Sequence, residues 1–111
     1  MDIEIKEYLD HKGKSPFAKW FNKLDKTAAA KITTALYRIQ AGNLSNVKRI
    51  GIIYEYKLVF GPGYRIYFGK DGEKLVILLG GGSKKMQSKD IENAKDNWQE
   101  YLRQKGDISC H

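Results

Sequence analysis

The pattern of hydrophobic and polar positions at the start of the chain predicts a short strand and then a short helix. Ile3 and Ile5 alternate with charged residues, which is the period of a half-buried strand. Ser15 followed by Pro16 is typical of a helix start, because serine caps the first turn and proline fits its first position. The apolar residues that continue this segment at helical spacing are Phe17, Trp20, Phe21 and Leu24.

A second helix is predicted from Asp25, whose carboxylate suits an N-cap position. Its apolar stripe consists of Ala28, Ala29, Ile32, Leu36 and Ile39. Gly42 suits the position just after the last helical turn. Lys26, Lys31 and Arg38 take the remaining faces, so we expect a helical hairpin with a basic outer side.

From residue 50 onwards the hydrophobic period changes to two, which predicts strands. The apolar positions of the first strand are Ile50, Ile52, Tyr54, Tyr56, Leu58 and Phe60. A turn at residues 61–63 leads into a second strand, and Asp71-Gly72 marks the next hairpin. The run LVILLG at residues 75–80 has the composition of a strand that is buried on both sides.

After a turn at residues 83–88, the last segment predicts a C-terminal helix with the apolar face Ile91, Ala94, Trp98, Tyr101 and Leu102. The element order is then β-α-α-β-β-β-α. This is an α+β fold in which an antiparallel sheet packs against an N-terminal helical hairpin and a C-terminal helix. A chain of 111 residues is too short for two ordinary cores, so we expect one domain over residues 1–105 and a flexible tail at 106–111.

The positive charge of the chain is concentrated in one stretch. The net charge is +7, and residues 11–49 carry nine Lys and Arg residues against Asp25 alone. Such a surface attracts a polyanion or an acidic protein, although a lysine-rich face that only maintains solubility has the same composition. No apolar run approaches the roughly 20 residues of a membrane-spanning helix, and the single Cys110 agrees with a reducing compartment. We therefore expect a cytoplasmic protein without membrane contact.

One face of the predicted hairpin collects residues that could carry chemistry. With the turn centred on the glycine-proline loop, Lys57 lies opposite Tyr67 and Val59 opposite Arg65, and Glu55 shares their face. Metal-free RNA cleavage by the internal 2′-hydroxyl needs a proton acceptor, a proton donor and positive charge beside the phosphorane. Glu55 or a lysine suits the base, Arg65 the phosphate, and Tyr67 the RNA itself. Cross-strand Glu and Lys pairs also occur on ordinary sheets, so a purely structural role stays open.

Other chemistries find little support in the sequence. His11 and His111 lie apart from acids and cysteines at metal-ligand spacing, so no metal site is predicted. The run GGGSKK at residues 80–85 lacks the spacing of a phosphate-binding loop, and no cofactor is expected.

Two long segments resemble a known family. They are YEYKLVFGPGYRIYFGKDG at residues 54–72 and LVILLGGGSKKMQSKDIENAKDNW at residues 75–98, and the similarity runs over residues 3–101. The chain resembles the RelE/ParE superfamily of toxins, in particular the HigB-like addiction-module killer proteins. The resemblance implies a RelE-like fold and a type II toxin that cuts mRNA on the ribosome, inhibits translation and arrests growth. It also implies a cognate antitoxin that binds and neutralises the toxin in a hetero-oligomer.

By this resemblance, Arg65 matches the arginine typical of ribonuclease members, and Lys84 matches the lysine of a GGDK segment. Glu55 matches the glutamate of an E-L-R strand motif, in which Lys57 stands for the arginine. The resemblance, taken together with the polar face, gives Arg65, Glu55, Lys57 and Lys84 as catalytic residues, and Tyr67, Lys85, Lys48 and Arg49 as RNA-binding residues. Gln87 and Asp90 fit a Q-x-x-D-I pattern, in which Asp90 caps the helix.

The resemblance also leaves function classes open. Several ribonuclease members place a histidine or tyrosine near the C-terminus as acid or base, and this chain offers only Tyr101, on the predicted core face, and His111. One alternative is a ParE-like inhibitor of DNA gyrase without enzymatic activity. Another is an inactive module that only binds an antitoxin.

Overall fold

The computed structural model describes residues 2–109, so Cys110 and His111 lie outside the described residues. The elements in chain order are β1 (Glu4–Glu7), α1 (Pro16–Phe21), α2 (Lys26–Gln40), β2 (Val47–Ile50), β3 (Ile53–Lys57), β4 (Arg65–Lys70), β5 (Leu75–Gly82), a 3₁₀ turn (Lys84–Met86) and α3 (Gln87–Ser109). The predicted α+β class is confirmed.

The strands form one five-stranded sheet in the order β1-β5-β4-β3-β2. β1 pairs with β5 in parallel, whereas the other neighbours are antiparallel. β1 lies at one edge of the sheet, and β4 occupies the centre. The helices cover both faces, so the sheet is the middle of three layers.

One strand is missing from the predicted order. Residues 50–60 do not form a single strand, because β2 ends at Ile50 and the chain reverses through Gly51 and Ile52 into β3. Gly51 has a φ of 61°, the left-handed conformation that a two-residue hairpin turn requires. The alternation from Ile50 to Tyr54 hid this turn, since Ile52 is a partly exposed turn residue with the hydrophobicity of a strand residue.

The predicted register between β3 and β4 is wrong by two residues, because Lys57 was predicted to lie opposite Tyr67. Lys57 pairs with Arg65, and Glu55 pairs with Tyr67. The pairing is centred on Gly61, which has a φ of 56°. A shift of two residues leaves every side chain on its original face, so the predicted grouping of these four residues on one face is kept.

Both N-terminal helices begin at the predicted caps. The Ser15 hydroxyl accepts a hydrogen bond from the Ala18 amide at 3.0 Å, and the Asp25 carboxylate accepts one from the Ala28 amide at 2.8 Å. Each cap satisfies an amide that the first helical turn leaves without a partner, a contribution of about 1 kcal/mol. Gly42, with a φ of 83°, follows the end of α2 as predicted.

The C-terminal helix α3 begins at Gln87, inside the predicted turn of residues 83–88. Ala94 and Trp98 lie in the core, but Leu102 was wrongly predicted to be there and is 40% exposed. The helix reaches Ser109 and so enters the segment 106–111. The domain boundary and the flexibility of that segment stay predictions.

The sheet separates two apolar layers. The layer beneath α1 and α2 consists of Phe17, Ile32, Ala35, Ile39, Tyr56, Ile66, Phe68, Val76 and Leu78. The layer beneath α3 consists of Tyr8, Ile53, Tyr67, Ile77, Leu79, Ala94 and Trp98. Each large aliphatic side chain that is fully buried contributes roughly 1.5 to 3 kcal/mol relative to its exposure, so the fold depends on both layers.

Two tryptophans lie directly against glycines of the sheet. A Cβ atom at Gly69 would overlap ring carbons of Trp98, which approaches from α3. A Cβ atom at Gly81 would overlap ring carbons of Trp20, which approaches from α1. The absence of a side chain at these two strand positions therefore lets each indole lie on the strand backbone.

We expect Gly69→Ala to lower the free energy of unfolding by about 3 kcal/mol, since the added methyl group displaces Trp98 from a packed layer. The matched control is Gly80→Ala, where a Cβ atom meets no other atom within 4 Å. Urea unfolding of both variants measures the difference. Equal transition midpoints for the two variants would contradict the packing of Trp98 on Gly69.

Candidate functional site

Strand pairing arranges the polar residues of one sheet face in two rows. The first row consists of Lys48, Glu55, Tyr67 and Gly80, on β2 to β5. The second row consists of Lys57, Arg65 and Gly82, on β3 to β5. Paired residues of neighbouring strands point to the same face, and Tyr67 places this face on the side of α3.

This face is far more enclosed than the sequence predicts. Glu55 and Arg65 are each only 3% exposed, and Tyr67 is fully buried, whereas Lys48 and Lys57 are exposed. The enclosure results from the start of α3, which packs over the sheet and contacts Glu55. The buried residues form the inner part of the site and the lysines its rim.

Glu55 and Arg65 form a buried ion pair. The Arg65 Nε atom lies 3.6 Å from Glu55 Oε2, and Arg65 Nη1 donates a hydrogen bond to the Gly63 carbonyl at 2.6 Å. Gln87 Nε2, in the first turn of α3, donates to Glu55 Oε2 at 2.9 Å. Each charge would be costly to bury alone, and the pairing offsets part of that cost, although Arg65 Nε itself has no hydrogen-bond partner among residues 2–106.

Gln87 is the residue of this network that sequence reasoning left out of the site. Its contact with Glu55 joins positions 32 residues apart, which no local pattern reveals. The one available signal was its place in the Q-x-x-D-I pattern. Asp90 of the same pattern does not cap α3 as predicted, because the helix begins at Gln87; it lies in the first turn, with its carboxyl group against Gly82.

Two acidic groups beside this pair are held in their protonated forms more strongly than in water. Burial and the neighbouring Glu55 carboxylate raise the pKa of Tyr67 above its ordinary value. Burial also raises the pKa of Asp90. Among residues 2–106 no hydrogen-bond partner reaches the Tyr67 hydroxyl, so an enclosed phenol donor lies near Glu55.

Glu55 borders a groove of about 330 Å³ that is lined by β2, β3 and the residues next to them. Lys48 and Lys57 line the same groove, together with Asn46 and Val59. Lys48 is the cross-strand partner of Glu55, and Lys57 follows Glu55 by two positions on the same face. A carboxylate between two exposed ammonium groups can accept a proton while the cations bind an anion such as a phosphate.

The remaining residues predicted to bind RNA are distributed differently. Lys84 and Lys85 lie exposed in the 3₁₀ turn, and the Lys84 amide donates to the Pro62 carbonyl at 3.3 Å, beside the β3–β4 turn. Arg49 pairs with Tyr54 on the opposite face of the sheet, where its guanidinium carbon is 6.0 Å from the Tyr54 ring. The structure therefore does not bring Arg49 to the polar rows.

Tyr101, the candidate acid near the C-terminus, lies at the other end of the sheet. Its hydroxyl donates to Asp71 Oδ2 at 2.6 Å, and Lys105 Nζ lies 2.5 Å from Asp71 Oδ1. Asp71 follows the last residue of β4, whereas Arg65 is the first residue of that strand. About 20 Å of extended strand therefore separates the contact between Tyr101 and Asp71, here called the Tyr101 clamp, from the ion pair. Tyr101 thus fixes α3 to the β4–β5 turn, and His111 lies outside the described residues.

Within residues 2–106, no group of three or more His, Cys, Asp or Glu side chains could hold a metal ion. Across the same range, no helix combines the length and the apolar character that a membrane crossing requires.

The fold and sequence were compared with those of known proteins. A protein of Haemophilus influenzae, described as uncharacterized, is 40% identical over 97 residues, which cover 86% of this chain and 92% of that protein. The chain belongs to the family of that protein. No protein-family model matches the chain.

Among solved structures, the fold is similar to that of a double arginine-to-alanine mutant of the Escherichia coli toxin RelE in the free state. The TM-score is 0.66, and the match covers 86% of this chain and 97% of the RelE chain at 20% identity. The fold is therefore RelE-like, as the sequence resemblance implies. The assignment to the HigB-like group stays a prediction.

We expect Glu55→Gln to lower the free energy of unfolding by about 3 kcal/mol, because it leaves the Arg65 guanidinium buried without a counter-charge. Adding Arg65→Met removes that charge, and the double variant should recover most of the loss. Urea unfolding of the two single variants and the double variant forms the cycle, with Lys57→Gln on the exposed rim as the control. Purely additive losses would show that the two side chains are not coupled.

Because the Tyr101 clamp depends on a protonated phenol, we expect the protein to lose stability at alkaline pH. Burial and the hydrogen bond to Asp71 raise the pKa of Tyr101 to about 12, above the ordinary value of 10.0. The protonated phenol therefore contributes fully below pH 10, and its contribution is lost as the pH rises towards 12. Tyr101→Phe should make this fall in the free energy of unfolding shallower, whereas Tyr37→Phe, at a residue 67% exposed, should leave it unchanged. Urea unfolding of both variants at about pH 9 and about pH 11 measures the free energy of unfolding. An equal fall in that free energy in both variants would show that the Tyr101 clamp does not cause it.

Proposed function

We propose that the protein is the toxin of a type II toxin–antitoxin system and acts in the cytoplasm as a ribosome-dependent mRNA endonuclease. The observation that carries the proposal is the position of Glu55, at the inner wall of a groove whose rim holds Lys48 and Lys57, on a RelE-like fold. A carboxylate flanked by cations is suited to transfer of a proton beside a phosphodiester.

In the proposed reaction, Glu55 accepts the proton of an RNA 2′-hydroxyl as that oxygen attacks the adjacent phosphorus. Lys57 neutralises the charge that develops on the non-bridging oxygens. The 5′-oxygen leaves with a proton from Lys84, whose backbone lies beside the β3–β4 turn. The products are a 2′,3′-cyclic phosphate and a free 5′-hydroxyl. Lys48 and Lys85 bind flanking phosphates, and Tyr67 supports Glu55 from the buried side.

Arg65 has a different role in the described conformation from the one expected of a phosphate ligand. It is 3% exposed, pairs with Glu55 and donates to the Gly63 carbonyl. We assign it as a positioning residue that orients the carboxylate and holds the β3–β4 turn. Glu55 is equally buried and is covered by Gln87, so direct contact of either side chain with RNA requires the start of α3 to move aside.

The proposed partners follow from charge. The stretch 11–49, with nine basic residues against one acid, supplies the surface for docking on ribosomal RNA. A cognate antitoxin that covers the groove would block access to Glu55, so inhibition would be steric and the inactive form a hetero-oligomer.

A second candidate is a toxin without enzymatic activity, such as a ParE-like inhibitor of DNA gyrase. The observations that favour it are the enclosure of Arg65 and the distance of Tyr101 from Glu55. An inactive module that only binds an antitoxin has the same structural support.

The test is inducible expression in a bacterium, with growth followed and mRNA 5′ ends mapped with and without ribosome engagement. Lys57→Ala should lower the frequency of new 5′ ends by about a hundredfold, because it removes charge stabilisation at the phosphorane. Lys74→Ala, an exposed cation that lines neither groove and lies outside residues 11–49, is the matched control and should cleave like the wild type. Arg65→Ala is less suitable, since it also breaks the buried ion pair.

Growth arrest with intact mRNA would defeat the endonuclease proposal, and gyrase-dependent DNA breaks would then establish the second candidate. Antitoxin binding without toxicity at high expression would identify the inactive module.

A further inference from the structure

A second groove adjoins the one that contains Glu55. It lies between α2 and the segment that follows β3, and its volume is about 350 Å³. The two grooves share Asn46, Lys57 and Val59, so they adjoin each other at the end of β3. Lys57 stands where they meet.

The second groove is lined by cations without any carboxylate. Lys31, Thr34 and Arg38 of α2 face it, and Lys57 faces it from β3. Lys31 and Arg38 are seven residues apart, about two helical turns, so their side chains are separated by about 10 Å along the helix axis. The Lys31 ammonium lies 5.2 Å from the centre of the Phe60 ring, which holds this cation over the groove.

We propose that the α2 groove binds the single-stranded RNA that continues from the scissile bond, with Lys31 and Arg38 on the phosphates of different nucleotides. The inference rests on the proposed endonuclease function, because an RNA strand cut beside Glu55 must leave the first groove on both sides. The α2 groove is open to it at Lys57 and offers positive charge alone. An acidic peptide would satisfy the same cations, but the border that this groove shares with the Glu55 groove favours RNA.

The test measures binding without cleavage. Fluorescein-labelled 2′-O-methyl oligonucleotides of about 4 and about 12 nucleotides lack the attacking hydroxyl, so the intact wild-type protein can be used, and anisotropy gives Kd over a range of salt concentrations. The longer oligonucleotide should bind more tightly to the wild type. Lys31→Gln with Arg38→Gln should weaken its binding about tenfold and reduce the slope of log K against log salt by about 1.4, the share of two phosphates on a single strand.

The matched control is Lys6→Gln with Lys74→Gln, which removes the same charge from exposed positions that line neither groove and lie outside residues 11–49. It should leave the affinity for the longer oligonucleotide near the wild-type value. Equal losses in the two double variants would reduce the effect to net charge and overturn the proposal. So would an unchanged salt slope in the Lys31 and Arg38 variant when thermal unfolding shows that it is folded.

A labelled peptide of about 12 residues rich in Asp and Glu, measured in parallel, tests the other occupant. If its binding depends on Lys31 and Arg38 while RNA binding does not, the groove is a protein-docking site and the proposal fails. The outcome is separate from that of the expression test, since these oligonucleotides cannot be cleaved. RNA binding in the groove without any new mRNA ends would reject the endonuclease alone.

Discussion

The buried contact between Glu55 and Arg65 is the constraint on which the rest of the site depends. Neither charge can remain in the interior without the other, so the contact fixes the pairing of β3 with β4. Through Gly63 it also fixes the turn between these strands, and through Gln87 it fixes the start of α3. The residues that the proposed chemistry needs are therefore part of the structural core.

This arrangement separates two tasks that one polar patch would otherwise share. The buried residues set geometry, because their positions are determined by packing and by hydrogen bonds within the sheet. The exposed lysines at 48 and 57 bring charge to the groove and are free to adapt to a ligand. In the proposed reaction, an enclosed carboxylate beside exposed cations keeps the orientation of the proton acceptor independent of how the anion binds.

Much of the fold could be predicted because its signals are local. The caps at Ser15 and Asp25 and the turn glycine after α2 are decided within a few residues, and the structure has them where the sequence places them. The strand β2 was missed because the hydrophobic residue in its turn imitates a strand position. The burial of Glu55 was missed because it results from the position of α3, which depends on tertiary contacts and not on the pattern of the sheet.

The two glycine and tryptophan contacts restrict how this sequence can change. At each contact the strand backbone and the indole occupy space that a single methyl group would fill. A larger residue can replace Gly69 or Gly81 only after the facing ring has been lost, whereas loss of the ring alone leaves a void in a packed layer. Descendants of this sequence should therefore inherit the four positions as two linked pairs. In each pair, a side chain smaller than tryptophan has to appear before glycine is replaced by a larger residue.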